Sequence, residues 1–160
     1  MKKKISAGLV VYRFKNGALE VFVAHPGGPL FAHKDEGHWS IPKGEVEPGE
    51  ELPATAIREF EEEIGVAIDP GSTFVSLGSI QQKGGKRVHA WAVEQDWDDS
   101  QPIRSLSFSM EWPLASGQLQ AFPEVDRAQF FSLAEARRKL KPAQCALIDR
   151  LEAELSKRRS

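Results

Sequence analysis

Between Glu45 and Glu63 the chain carries eight of its 23 acidic residues, and Arg58 is the only basic residue among them. From Glu51 to Ile64 the pattern is that of a helix, with Pro53 tolerated in the first turn and Gly65 as its stop. At about 100° per residue, Glu59, Glu62 and Glu63 fall within one arc, while Ile57, Phe60 and Ile64 form an apolar stripe on the other side. One face therefore packs and the opposite one gathers carboxylates. Like charges three and four residues apart cost a few tenths of a kcal/mol per pair, roughly, and a solvated helix ordinarily interleaves Lys or Arg to avoid this. A bound divalent cation removes the conflict, because hard ions such as Mg²⁺ take one or two carboxylates and complete their shell with water and phosphate oxygens. Arg58 is placed to pair with Glu62 at i+4 or to reach back to Glu50 or Glu51.

The remaining composition narrows the class. With 160 residues, 41% hydrophobic and 28% charged, the chain has the makeup of one globular domain over residues 1–160. Its net charge of −2 gives no electrostatic case for a general DNA or membrane-surface binder. A single cysteine, Cys145, excludes an internal disulfide or a Cys metal cluster and points to the cytoplasm. The basic start, Met1 to Lys4, runs into a strand pattern rather than an export signal, and no stretch is long and uncharged enough for a membrane helix.

Ile5 to Arg13 and Leu19 to Ala24 read as strands joined at Asn16-Gly17, and residues 25 to 38 as a loop. Two further strands, Phe74 to Gln81 and Arg87 to Val93, meet at Gly84-Gly85. Residues 95 to 122 read as an irregular, insertion-like connection. Ala128 to Ser132 reads as the last strand, Ser132 with Glu135 as a capping box for a helix to Leu140, and Pro142 as the start of a C-terminal helix. Lys43, Lys83, Lys86 and Arg87 flank glycine turns from which cations can be aimed at a phosphate chain. The four histidines read as loop or strand residues rather than ligands, since their spacing fits no two-His metal pattern.

Gly44, five residues, Glu50, seven residues, then Arg58-Glu59-Phe60-Glu61-Glu62-Glu63-Ile64-Gly65-Val66 resembles the signature box of the Nudix hydrolase family. Phe60 stands where an aliphatic residue is usual, and Lys43 where many members have a second glycine. Ser6 to Val11 is similar to the family's first core strand, and Pro123-Glu124-Val125-Asp126 before Phe130 to Leu133 to its late strand and helix entry. The resemblance implies an α/β/α sandwich around a mixed sheet. It implies hydrolysis of a nucleoside diphosphate linked to another group, with Mg²⁺ or Mn²⁺ held by Glu59, Glu62, Glu63 and the Lys43 carbonyl. Arg58, Glu59, Glu62 and Glu124 are the implied catalytic set, Glu124 as an additional carboxylate beside metals or water. The lead-in Trp39 to Gly44 and Glu45 to Glu50 are similar to the version in dinucleoside polyphosphate hydrolases, so diadenosine tetraphosphate is the first substrate expected. The alternatives are removal of pyrophosphate from an RNA 5′ end, clearance of nucleoside triphosphates, or a catalytically silent domain that senses a nucleotide. Oligomeric state is not legible.

Overall fold

In a computed structural model the first strand, β1 (Ile5–Lys15), buries every residue from Ser6 to Arg13. Successive strand side chains point to opposite faces, so such a run requires both faces of the sheet to be covered. The structure describes residues 4–158; the basic start up to Lys3 and residues 159–160 lie outside the described residues. Antiparallel to β1 runs β2 (Ala18–Pro26), with Tyr12 opposite Val21, and β3 (Lys43–Glu45), with Ala7 opposite Gly44. β4 (Val75–Gln81) pairs with β5 (Arg87–Glu94), which is parallel to β1 from Ile5↔Arg87 to Tyr12↔Glu94. β8 (Val125–Ser132) closes the other edge against β2, giving a mixed sheet in the order β4-β5-β1-β2-β8 with β3 attached to β1.

The alternation of β1 builds two cores. Ala7, Leu9 and Val11 pack with Ala56, Phe60 and Ile64 of helix α1 (Leu52–Ile64). Val10 and Tyr12 pack on the opposite side with Ala136 of α2 (Leu133–Lys139) and with Leu147, Ile148 and Leu151 of α3 (Cys145–Arg158). The result is the expected α/β/α arrangement, with the apolar stripe of α1 against one face and its acidic arc left at the edge. Ser132 caps α2 by accepting from the Glu135 N–H at 3.2 Å. Cys145 is partly buried, its thiol donating to the Arg137 carbonyl. No described helix is long and apolar enough to cross a membrane.

The segment expected to be irregular, 95 to 122, is corrected by the structure. β6 (Ser107–Glu111) and β7 (Leu119–Pro123) form a separate antiparallel hairpin, from Ser107↔Pro123 to Glu111↔Leu119. Its strands are short; Phe108 and Met110 of β6 are half-buried between exposed neighbours, while β7 is almost wholly exposed. The hairpin is rooted beside α1, where the Leu106 N–H donates to the Glu62 carbonyl at 3.1 Å and the Leu106 carbonyl accepts from the Glu124 N–H at 2.8 Å.

Phe60 is fully buried and meets the rings of Phe22 and Trp97, each at 5.9 Å between centroids. Phe60→Ala is expected to lower unfolding free energy by about 3–5 kcal/mol in urea titrations; a loss below about 1 kcal/mol would contradict this packing.

Candidate active site

Two glycines set the acidic arc in place. A Cβ on Gly44 would lie 2.0 Å from the Glu59 carboxyl carbon, so the bare backbone of β3 is what admits this carboxylate. Gly65 ends α1 in the left-handed region at φ 80°, its N–H donating to the Glu61 carbonyl at 2.9 Å.

Arg58 is the hub. Its Nε donates to Glu50 Oε2 at 2.8 Å and its Nη2 to Glu50 Oε1 at 3.0 Å, a two-pronged pair. Nη1 donates to Glu59 Oε1 at 2.9 Å and Glu62 Oε2 at 3.1 Å, and Nη2 also reaches the Glu45 carbonyl. Of the partners open at the sequence level, Glu50 and Glu62 are both used. Arg58 first, and the Thr55 hydroxyl second, hold the Glu50 carboxyl down at about 2, while the guanidinium itself is pushed above its ordinary range. Glu50 is thereby committed to fixing the loop against the helix.

Glu63 has the opposite fate. Burial first, then the charge of Glu59, raises its carboxyl from the usual 4.5 to about 8; Lys43 opposes the shift, and Glu124 adds to it. Burial also raises Glu59, against the pull of Arg58. The charges of Glu59 and Glu124 thus both act against ionisation of the buried Glu63 carboxyl, with Lys43 opposing them. Among the described residues no three His, Cys, Asp or Glu side chains close on a common metal point. Arg58 holds one oxygen each of Glu59 and Glu62, leaving the second oxygen of both outside its grasp. An all-oxygen set of carboxylates beside the Lys43 backbone suits a hard divalent ion, and their mutual repulsion supplies the motive for binding one.

Glu63 and Glu124 line one cavity of about 180 Å³ together with Lys43, His38, Ser40 and Lys141. Glu124 stands between β7 and β8. Its carbonyl accepts from the Gly27 N–H at 2.9 Å and its N–H donates to Leu106, so both sides of its peptide are tied. Lys83 and Lys86 border a neighbouring cavity. Arg87 does not line that cavity: it is the first residue of β5 and donates to Ser79 Oγ of β4 at 2.9 Å.

The sequence reading missed Lys141, which reaches this cavity only through the fold, and the work of His25. His25 is fully buried, with Nδ1 2.7 Å from Asp126 Oδ1 and Nε2 2.6 Å from the Lys34 carbonyl. It ties the loop after β2 to the strand entry that carries Glu124. That pairing depends on the β2–β8 register, which leaves no local signal in the sequence.

The family model for the NUDIX domain matches residues 2–151, and the chain belongs to that family. It is 33% identical over 106 residues to the asymmetrical bis(5′-nucleosyl)-tetraphosphatase of Sus scrofa, covering 58% of this chain and 67% of that one. It is 39% identical over 61 residues to the Caenorhabditis elegans protein of the same name, covering 38% and 40%. A crystal structure of a C. elegans Ap4A hydrolase binary complex superposes with a TM-score of 0.68 at 23% identity, over 94% of this chain and 98% of that one. The matches span 21% to 67% of the length of the curated relatives.

The raised Glu63 carboxyl fixes a pH dependence. In metal-free protein its neutral form is favoured by folding, so stability is full below about pH 4.5 and is lost as pH rises through about 8. Thermal melts in chelator are expected to show Tm falling over this window for the wild type and a flatter profile for Glu63→Gln. Equal slopes in the two proteins would contradict the assignment.

Proposed function

We propose that the chain is a pyrophosphohydrolase dependent on a divalent ion, Mg²⁺ or Mn²⁺, acting on dinucleoside polyphosphates such as diadenosine tetraphosphate. The observation that carries this reading is the meeting of Glu63, Glu124 and Lys43 in one cavity beside Glu59, under repulsion that a bound cation would relieve. The tetraphosphatase names of the two relatives support the substrate class. In this proposal Glu59, Glu62, Glu63 and the Lys43 carbonyl hold the ion. When bound, the ion neutralises phosphate oxygens and acidifies the attacking water. Glu124, its backbone fixed on both sides, accepts the proton of that water. Arg58 orients Glu59 and Glu62 and keeps the loop closed on the helix. Lys43, Lys83 and Lys86 hold phosphates, with Arg87 steadying the strand behind them. One chain-long domain acting in the cytoplasm completes the proposal, the lone cysteine supporting that compartment.

The test is a substrate panel with Mg²⁺: dinucleoside polyphosphates, nucleoside triphosphates, ADP-ribose and triphosphorylated RNA, with products separated by chromatography. Diadenosine tetraphosphate is expected to give the highest kcat/KM, yielding ATP and AMP. No turnover of any diphosphate would instead favour a nucleotide-sensing domain. Glu124→Gln is expected to lower kcat by roughly 10²-fold or more with Tm little changed. Glu62→Gln is expected to weaken metal binding and turnover by orders of magnitude while the fold survives. Near-normal kcat for Glu124→Gln, at saturating and at limiting metal, would remove it from the site.

A further inference from the structure

His25 is fully buried, and no step of the proposed reaction uses it. It continues the row of Val21 and Val23 on the face of β2 that packs against Trp39, whose ring it meets edge-on at 5.2 Å between centroids. An apolar side chain would fill that place without the cost of burying polar atoms, whereas an imidazole there must find hydrogen-bond partners. We propose that His25 is a positioning residue: by holding Asp126 it fixes where Glu124 stands in the cleft. The proposal rests on the reading of that cleft as the hydrolytic site and of Glu124 as the group that accepts the proton of water.

Three observations carry it. First, both ring nitrogens are held, Nδ1 at 2.7 Å from Asp126 Oδ1 and Nε2 at 2.6 Å from the Lys34 carbonyl. Both partners are acceptors, so the ring serves each of them as a donor. One imidazole thus joins the two banks of the cleft: the loop after β2, which runs on to His38 and Ser40, and the strand entry that carries Glu124 and Val125.

Second, Asp126 sits at a break in the β2–β8 ladder. His25 pairs with Arg127 and Pro26 with Val125, which leaves Asp126 as the extra residue of a β-bulge. Bulges re-aim the side chains beside them, and this one lies two residues after Glu124. Where the ladder lapses, the His25–Asp126 bond supplies the register that backbone pairing does not.

Third, the loop meets the strand entry with no room to spare. The Gly27 N–H donates to the Glu124 carbonyl at 2.9 Å, and a Cβ on Gly27 would lie 1.9 Å from the Pro123 carbonyl oxygen. Glu124 itself is exposed, so packing does not hold its carboxyl and its direction comes from the backbone on either side. A shift of about 1 Å in a catalytic group is enough to cost roughly 10²-fold in rate.

The experiment is a double-mutant cycle on kcat and KM for the best substrate of the panel with Mg²⁺, with thermal melts and hydrogen exchange of the Gly27 amide on the same proteins. His25→Asn keeps a donor where Nδ1 stands and loses the one at Nε2; His25→Gln does the reverse. Asp126→Ala removes the acceptor from a side chain that is 33% exposed, so little packing is lost with it. His25→Gln and Asp126→Ala are each expected to lower kcat by roughly 10- to 100-fold with KM little changed, and His25→Asn to keep kcat near the wild-type value. In a Glu124→Gln background the first two changes should lower kcat no further, since they act through Glu124. Gly27 exchange should speed up in those two variants and not in His25→Asn. Unchanged kcat in His25→Gln and Asp126→Ala, equal losses in His25→Asn and His25→Gln, or losses that add fully to that of Glu124→Gln would each overturn the positioning role. A wild-type chain that hydrolyses no diphosphate would refute the hydrolytic reading, and Gly27 exchange then decides whether His25 holds the Glu124 peptide, unchanged exchange overturning that as well.

Discussion

The Arg58 guanidinium is the contact on which the acidic edge of the molecule depends. It carries both oxygens of Glu50, one oxygen each of Glu59 and Glu62, and the Glu45 carbonyl. Without it, three carboxylates and the backbone entering α1 would face each other uncompensated in a partly buried position. It neutralises only part of the charge. Glu63 lies beyond its reach and is held near 8 by burial and by its acidic neighbours. The same geometry that lets the apo protein fold therefore leaves a defined deficit of positive charge, and a divalent ion fits that deficit.

The sheet supplies the precision. β3 is only three residues long, yet it brings Lys43 and Gly44 against β1 on one side and the Glu59 carboxyl on the other, and Gly44 has no Cβ to obstruct the approach. From the opposite side Gln144 draws the Lys141 segment and the Lys83 turn onto the same lead-in. Acidic and basic walls thus arise on opposite layers and converge at one strand. Such an arrangement suits phosphate chemistry, with cations for phosphate oxygens on one wall and carboxylates able to hold a hard ion on the other.

Much of this was legible in the sequence, and the reason is locality. The acidic arc follows from helical periodicity between Glu59 and Glu63, and the Arg58 partners from i+4 spacing and the short reach to Glu50. The alternation of β1 and the Asn16-Gly17 turn define the first hairpin. The hidden features depend on long-range packing. Gln144 and Ile41 are 103 residues apart, and Gln144 and Gln82 are 62 apart, so nothing near Lys141 announced its place beside Lys43. Arg87 was grouped with Lys86 by proximity, yet Lys86 lies in the turn and Arg87, the first residue of β5, is bound to Ser79. The β6–β7 hairpin escaped notice because its strands are five residues each, pair only with each other, and only β6 alternates, over Phe108 and Met110.

Crowded carboxylates around Glu63 create the demand for a divalent ion. The most direct measurement is proton release on Mg²⁺ binding, read by calorimetry at pH 7 in buffers of different ionisation enthalpy. With the Glu63 carboxyl at about 8, close to one proton should leave per ion bound, and the release should vanish above about pH 9. Mg²⁺ binding with no proton release at pH 7, or no Mg²⁺ binding at all, would contradict the account.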